Sequence, residues 1–329
     1  MNRLLATLAL FCTAAASHAE GIGEPAGRKG DEIVVCGQYF HTTAPVVLWT
    51  DPGGYDAYRV ERRFSEFDKA EWEPSKAEVQ WLDTPNRYGI RKEGLTSDQL
   101  ELVRGGGWPL ELLQEQVDQF VMHYDVCGFS RRCFQVLHDA RGLSVHFMLD
   151  VDGTIYQTLD LKERAWHATK SNGRSVGIEI AQMGAYPPDN TTVLDKWYTN
   201  TANGTILSIP EGVGPTGIRT PRFVGRPARP GLIRGNIQGA ELLQYDFTPQ
   251  QYDSLIKLTA ALCTIFPKME CDYPRDAEGK LVTKVLTEQE WQDFQGLIGH
   301  YHVQLVKTDP GPAFDWDKVV TGAQELMAK

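Results

Sequence analysis

The sequence lacks any hydrophobic run long enough to cross a membrane. Its longest apolar stretch, residues 4–16, has 13 residues, whereas a membrane-spanning helix needs about 20. Arg3 precedes this stretch and the tripeptide Ser17-His18-Ala19 follows it, an arrangement typical of a cleaved secretory signal. We therefore expect residues 1–19 to be a signal peptide, in preference to a membrane anchor, and the mature protein to be periplasmic or secreted.

Positive charge is also scarce. Lysine and arginine total 33 against 43 aspartate and glutamate residues, so the formal net charge is −10. General nucleic-acid binding relies on a basic surface, and this composition therefore argues against a nucleic-acid partner. If the protein binds an anionic polymer such as cell wall, a local basic region of its surface would have to form the contact.

Cysteines are few, and no two of them have the C-x2-C spacing. This absence disfavours a cysteine-rich zinc site. One cysteine falls in the predicted signal, and those that remain are Cys36, Cys127, Cys133, Cys263 and Cys271. In an oxidising compartment the close pairs Cys127/Cys133 and Cys263/Cys271 are candidates for disulfides, whereas the state of Cys36 stays open.

The most informative stretch that is present is residues 297–316, LIGHYHVQLVKTDPGPAFDW. It places His300, Lys307 and Asp309 close together after a short apolar run, which suggests a zinc centre with a cation beside it. A catalytic zinc typically takes three protein ligands and leaves a fourth position for water. We therefore expect the third ligand at the end of another core strand. His123 stands at the end of the apolar segment Gln119-Phe-Val-Met-His123 and is the candidate.

Together these residues resemble the zinc-dependent N-acetylmuramoyl-L-alanine amidases of amidase type 2, the family related to peptidoglycan recognition proteins. The resemblance covers roughly residues 116–328, apart from a long insertion. It implies an α/β fold in which a mixed central β-sheet is flanked by helices on both faces. The matching motifs, in chain order, are Phe120-Val-Met-His123, Ser144-Val-His-Phe-Met-Leu-Asp150 with Asp152-Gly153, Arg164-Ala-Trp-His-Ala168, Ser175-Val-Gly-Ile-Glu-Ile180, Gly299-His300 and Lys307-Thr-Asp-Pro-Gly-Pro-Ala-Phe-Asp-Trp316.

The resemblance implies that Zn²⁺ is the cofactor and that its ligands are His123, His300 and Asp309. The interval from His300 to Asp309 is a residue shorter than in similar bacterial enzymes, so His302 stays open as a rival third ligand. The resemblance also implies that Lys307 stabilises the oxyanion which develops on the scissile carbonyl.

Further roles follow from the same resemblance. Trp166 and His167 match residues on the substrate side, and Cys127 and Cys133 match a bridge that follows the first zinc histidine in peptidoglycan recognition proteins. Glu179 is the expected general base. Alternation along its strand turns Glu179 away from the apolar face, beside Gly177 and Ala181, which should leave room for substrate.

The core is expected to alternate between strands and helices. Strands are predicted at 120–123, 145–149, 154–158 and 176–181, the middle two forming a hairpin, and a helix at 131–140. Thr248-Pro-Gln-Gln251 is a capping box with proline at the first helical position. It should open a helix with an apolar stripe, and a last helix should follow Trp316.

Two regions lie outside the resemblance to the family core. Residues 20–115 are interpreted as an N-terminal extension packed on the amidase domain of residues 116–329, or alternatively as a separate wall-binding module. A hairpin is expected within residues 45–60, and a helix is expected to open at Thr96 and to end at Gly105-Gly-Gly107.

The insertion, residues 186–246, carries several arginines with no acidic residue between Gly212 and Ala240. Arginine pairs well with carboxylates, so Arg219 and Arg222 are candidate binding residues for the stem peptide. The alternative is a solvated loop that leans on an acidic body.

The sequence thus predicts a secreted hydrolase of the amide between N-acetylmuramic acid and L-alanine in peptidoglycan or muropeptides. One alternative is a non-catalytic peptidoglycan receptor of the same fold. Such receptors often lose a zinc ligand, whereas His123, His300 and Asp309 are all present, as is Glu179. A second alternative is a structural wall-anchoring protein that depends on residues 20–115.

Overall fold

The computed structural model describes residues 27–72 and 84–329. The predicted signal peptide, residues 1–19, lies outside these ranges. In the part of the chain that is described, no helix combines the length and apolar character needed to span a membrane.

The strands and helices follow one another along the whole described chain. The strands are β1 (Glu32–Val35), β2 (Gln38–His41), β3 (Val46–Leu48), β4 (Tyr88–Ile90), β5 (Gln119–Tyr124), β6 (Phe147–Leu149), β7 (Ile155–Gln157), β8 (Glu163–Ala165), β9 (Ser175–Ile180), β10 (Tyr198–Thr201), β11 (Gly204–Leu207), β12 (Leu232–Ile237), β13 (Ala240–Tyr245) and β14 (Gly296–Gly299). The α-helices are α1 (Ser97–Arg104), α2 (Leu110–Gln116), α3 (Ser130–Phe134), α4 (Thr192–Trp197), α5 (Pro249–Ile265), α6 (Glu288–Asp293), α7 (His300–Val303) and α8 (Trp316–Met327).

Six of the strands in the described residues form one sheet in the order β14-β5-β9-β6-β7-β3. The pairs β14·β5, β5·β9, β9·β6 and β7·β3 are parallel, whereas β6 and β7 form an antiparallel hairpin. The sheet is therefore mixed, as predicted. Its inner strands are buried on both faces, which suits their nearly continuous apolar sequences.

Helices cover both faces of this sheet. On one face, Phe120, Met122 and Ile178 share a hydrophobic cluster with residues of α5 and α8. On the other face, Met148 and Tyr156 pack with Phe134 and other residues of α3 and the π-helical segment that continues it to Ala140. The predicted architecture, a mixed sheet flanked by helices, is confirmed.

The N-terminus of α5 is formed as its sequence predicts. The Thr248 hydroxyl accepts a hydrogen bond from the Gln251 amide, and the Gln251 side chain accepts one from the Thr248 amide. Pro249 occupies the first helical position, where no intrahelical donor is needed. The apolar stripe of α5, including Leu255 and Leu262, is buried. Helix α1 likewise begins after Thr96 with a capping box and ends at Gly105.

The predicted hairpin within residues 45–60 is wrong. Val46–Leu48 is instead the edge strand β3, which runs parallel to β7. All three of its residues are buried, and the Asp51 carboxylate accepts the Leu48 amide where the strand ends. Apolar runs of this length fit either pairing, so the partner was decided by distant residues. The hairpin near the N-terminus is formed by β1 and β2.

The insertion is more ordered than a loop. It contains α4 and two antiparallel hairpins, β10·β11 and β12·β13. Leu194 and Trp197 of α4 pack with Phe129 and Met183 in a separate hydrophobic cluster. The insertion is thereby fixed against the start of α3.

Candidate active site

The site lies at the carboxyl ends of three neighbouring parallel strands. In the pairing of β5 with β9, His123 is the register partner of Glu179. On the other side of β5, strand β14 ends at Gly299, and His300 is the first residue of α7. Because carboxyl ends of parallel strands meet at one edge of a sheet, residues distant in sequence converge there.

His123, His300 and Asp309 form a buried group whose potential ligand atoms all lie within 4.8 Å of one another. The Nδ1 atoms of His123 and His300 are 2.8 Å and 3.0 Å from the same Asp309 oxygen, Oδ2. Two imidazole nitrogens and a carboxylate oxygen are the donor types that zinc takes in proteins.

Neighbouring side chains orient these histidines for a cation. His300 Nε2 lies 2.6 Å from Gln304 Oε1, so the Gln304 side chain holds this ring with Nδ1 turned towards Asp309. His123 Nε2 is held in turn by His167 Nδ1, 3.0 Å away. Partners of this kind fix the ring orientation of metal ligands, and the donor set fits a divalent metal ion.

Electrostatics favour the forms of His123 and Asp309 that bind a metal ion. Burial, reinforced by the neighbouring His300, lowers the pKa of His123 to about 4, so its imidazole is neutral at pH 7. Burial opposes ionisation of Asp309, but His300 and the hydrogen bonds from both histidines outweigh it and hold the pKa of that carboxyl well below its usual range. Metal binding requires neutral histidine and ionised carboxylate, and His123 and Asp309 are in these forms.

Glu179 has an unpaired oxygen at this site. Its Oε2 atom is inaccessible and has no hydrogen-bond partner among the described residues. Burial, with the negative charge of Asp309 next in size, raises the pKa of Glu179 well above its ordinary value. A buried carboxyl without a partner costs folding free energy, and such groups cluster at functional sites.

His302 is excluded as a member of this group. Its Nδ1 accepts the Gly299 amide at 2.9 Å, and its Nε2 lies 2.6 Å from the Val282 carbonyl oxygen. Both ring nitrogens are thus engaged in fixing the turn that carries His300.

The expectation that Gly177 leaves room for substrate is wrong. A Cβ atom at Gly177 would lie 2.4 Å from Cε1 of His167. The small residue therefore makes room for an imidazole of the protein itself. His167 is the neighbour that holds His123, and its own Nε2 lies 3.4 Å from the Ser175 hydroxyl. Ala181 is buried and does not line the site.

The segment that carries Trp166 and His167 is fastened by Arg91. This fully buried guanidinium donates to the carbonyl oxygens of Leu161 and Ser175, at either end of the segment. Further bonds reach the Asn172 and Gly173 carbonyls and His146 Nε2. Strand β4 also pairs with β8 just before Trp166. The N-terminal extension thus supports one wall of the site, a contribution that sequence motifs did not reveal.

A cavity of about 450 Å³ opens over the group. Besides the three clustered residues, its lining includes Glu179, Lys307, Trp166 and His167, all of which were expected at the site. Two exposed arginines, Arg132 and Arg141, also line it. Neither was expected at the site, because neither belongs to a motif that carries the family resemblance.

Arg219 and Arg222, expected to bind the stem peptide, do not line this cavity. An Arg219 nitrogen lies 3.4 Å from the position of a Cβ on Gly53. The adjoining insertion is held over the β6–β7 hairpin, where Thr220 donates to Asp152 and the Tyr156 hydroxyl donates to Gly217. Arg222 is exposed.

The expected disulfide between Cys127 and Cys133 is not formed in this structure, where both are free thiols. Both side chains are buried. Burial, followed by the hydrogen bond that the Cys133 thiol donates to Cys127, raises the pKa of Cys133 well above its ordinary value. The two sulfurs are therefore neighbours, and their bridging under oxidising conditions stays a prediction.

Comparison with known proteins gives a family match for part of the chain. Residues 113–206 match the family model for N-acetylmuramoyl-L-alanine amidase. This part of the chain carries His123 and Glu179, and the match confirms the resemblance drawn from the motifs. A comparison with curated proteins finds no match.

Several solved structures are similar to the chain. A selenomethionine derivative of AmpD is 18% identical, with 72% of this chain and 89% of that chain covered and a TM-score of 0.33. The amidase AmiD from E. coli, in complex with anhydro-N-acetylmuramic acid-L-Ala-D-gamma-Glu-L-Lys, is 16% identical over 63% and 57%, with a TM-score of 0.35. The endolysine amidase LysCS from Clostridium intestinale URNW is 15% identical over 64% and 86%, with a TM-score of 0.32.

Proposed function

We propose that this protein is a zinc-dependent N-acetylmuramoyl-L-alanine amidase, which hydrolyses the amide between N-acetylmuramic acid and L-alanine in peptidoglycan or its fragments. The observation that carries the proposal is the convergence of His123, His300 and Asp309 beside the unpaired carboxyl of Glu179. The family match over residues 113–206 supports the reaction.

The three clustered residues would hold Zn²⁺. When bound there, zinc supplies a Lewis acid that polarises a carbonyl and lowers the pKa of a water from 15.7 to about 7. Burial and the negative charge of Asp309 raise the pKa of Glu179. A metal ion held by Asp309 would offset the second of these causes and so favour the ionised carboxylate, the form that accepts a proton.

The chain's own residues perform the proton transfers and hold the substrate. Glu179 takes the proton of the attacking water and delivers it to the leaving amine of L-alanine. Lys307, on the cavity wall, stabilises the negative charge on the scissile carbonyl oxygen. His167 holds His123 in orientation, and Trp166 contributes an apolar surface beside it.

We further propose that the protein acts in the periplasm or outside the cell, after removal of residues 1–19, and that residues 116–329 are its amidase domain. Support comes from the sequence of the N-terminal segment and from the family match.

The test is product analysis with purified muropeptides. Mass spectrometry should detect a free stem peptide that begins with L-alanine, together with the intact sugar. A chelator should abolish its release, and added zinc should restore it. Binding of muropeptide without release would favour the non-catalytic receptor, whereas cleavage at another bond would overturn the assigned reaction.

A further inference from the structure

A second cavity, of about 360 Å³, lies beside the one just described. One wall is the first part of α3 and its continuation, and the other is the insertion. Residues 211–215 of the insertion lie beyond the segment that matches the family model. The lining residues are Phe129, Arg131, Arg132, Gln135, Glu211, Gly212, Val213 and Pro215.

Arg132 belongs to the walls of both cavities. Val136, four residues later on the same helical face, lines the cavity over the candidate metal group, whereas Gln135 lines the second one. The two spaces therefore adjoin at Arg132. A substrate held at His123 and Glu179 can extend past this side chain into the second cavity.

The second cavity is built on fixed elements. The Arg131 guanidinium lies 4.0 Å from the centroid of the Phe64 ring and donates to the Pro215 carbonyl oxygen. Val213 packs against the hydrophobic cluster that contains Phe129 and Trp197. Arg131 is thus occupied in joining the insertion to the N-terminal extension.

Two side chains of opposite charge in this cavity have no hydrogen-bonded partner among the described residues. The side chains of Arg132 and Glu211 are both exposed. Neither forms a hydrogen bond or salt bridge with any residue in the ranges 27–72 and 84–329. The cavity therefore offers a fork of donors and a carboxylate acceptor to a ligand, with apolar contact available at Val213.

We propose that this second cavity is a binding subsite for the charged end of a peptide, which places a carboxylate on Arg132 and an ammonium group on Glu211. The inference rests on the proposed function, because the peptide is the stem of the substrate held at the first cavity. Arginine binds a carboxylate through two parallel hydrogen bonds. A residue with a free carboxylate and a side-chain amine, such as a terminal lysine, matches both charges, and its methylene groups would lie against Val213.

Titration calorimetry of the full chain with synthetic peptides tests this subsite without depending on turnover. The probes are an N-acetylated L-Ala-D-γ-Glu-L-Lys, its C-terminal amide, and its form acetylated on the lysine amine. We expect the wild type to bind the first peptide roughly fivefold more tightly than either blocked form, the upper range for exposed ion pairs. The preference should shrink at high salt.

Two variants separate the charges. Arg132→Gln should lose the preference for the free carboxylate and keep that for the free amine, and Glu211→Gln should do the reverse. Arg222→Gln, an exposed insertion arginine on neither cavity, is the matched control and should behave as wild type. Equal affinity of the wild type for all three peptides, no binding, or equal loss for every peptide in Arg132→Gln would overturn the proposal.

The same titrations separate this subsite from the reaction. Charge-selective binding without hydrolysis of muropeptides would uphold the subsite and refute the amidase. Hydrolysis with no charge preference in binding would do the opposite.

Discussion

His123 and Glu179 lie side by side because β5 and β9 pair in parallel with these two residues in register. Their neighbours in the same strands, Met122 and Ile178, are also register partners and pack into the core. Successive side chains of a strand point to opposite faces of the sheet. Met122 and Ile178 therefore face the core, whereas His123 and Glu179 face the candidate site. Asp309 and His300 reach the same face from the segment after β14.

The first prediction concerns Glu179→Gln. Glutamine keeps the size of the side chain but cannot accept the proton of water, and general acid–base groups typically contribute 10²- to 10⁴-fold to rate. Hydrolysis of a muropeptide should slow by about that factor, measured by product release under saturating substrate. Zinc content should stay as in the wild type, because Glu179 is outside the ligand group. A wild-type rate in this variant would show that the base is another residue.

Replacing Arg219 and Arg222 together by serine should leave kcat and KM for muropeptides unchanged. Neither side chain lines the cavity over the candidate metal group or the second cavity. A residue that binds the substrate equally well in the ground state and the transition state affects KM alone. Arg219 and Arg222 are not placed to contribute such binding. A severalfold rise in KM, with an unchanged circular dichroism spectrum, would restore the arginine rim expected from the sequence.

Local patterns identified much of the fold and most of the candidate site. The capping box at Thr248 and the strand that ends near His123 depend on neighbouring residues, and both are formed as predicted. His123, His300 and Asp309 follow from motif order, since each motif ends a strand or a turn at the same sheet edge.

Pairings between residues distant in the chain could not be predicted from the sequence. Val46–Leu48 reads equally well as half of a hairpin or as an edge strand, and its partner β7 is more than 100 residues away. The space beside Gly177 is filled by the side chain of His167, which lies on the segment between β8 and β9. Arginines of the insertion looked suited to substrate, but which arginine faces the cavity depends on where the insertion packs.

A third prediction tests the support that Arg91 gives to the segment 161–175. Arg91→Met would leave buried carbonyl oxygens unpaired, and each such loss costs about 1–3 kcal/mol. The free energy of unfolding should fall by roughly 3 kcal/mol. Hydrogen exchange should accelerate in residues 161–175 more than in α5, because the carbonyl oxygens that accept hydrogen bonds from Arg91 all belong to that segment. Equal acceleration in both segments would indicate general destabilisation, and no change in either would remove the assigned role.

A fourth prediction follows from Asp150, which is fully buried with an unpaired Oδ2. Burial, followed by repulsion from Asp152, raises its pKa to about 8, against about 3.9 in the unfolded chain. Between these values the folded state holds the proton and the unfolded state does not. This group therefore makes stability fall as pH rises from about 4 to about 8, by up to about 1.4 kcal/mol per unit.

Asp150→Asn should remove that dependence, because the amide imitates the protonated acid. Urea unfolding at pH 5 and pH 8 measures the difference. The variant should lose less stability than the wild type between these two values. Equal losses in the two proteins would mean that Asp150 is ionised in the folded state.

The most direct test of the account is the metal content of the purified protein together with its amidase activity. Wild type should carry one zinc per chain and release stem peptides from muropeptides. His300→Ala should lose zinc and activity together, since it removes one of three converging ligands, whereas Glu179→Gln should keep the zinc and lose the activity. Wild-type protein that binds no zinc, or that hydrolyses muropeptides equally well after the metal is removed, would contradict the account.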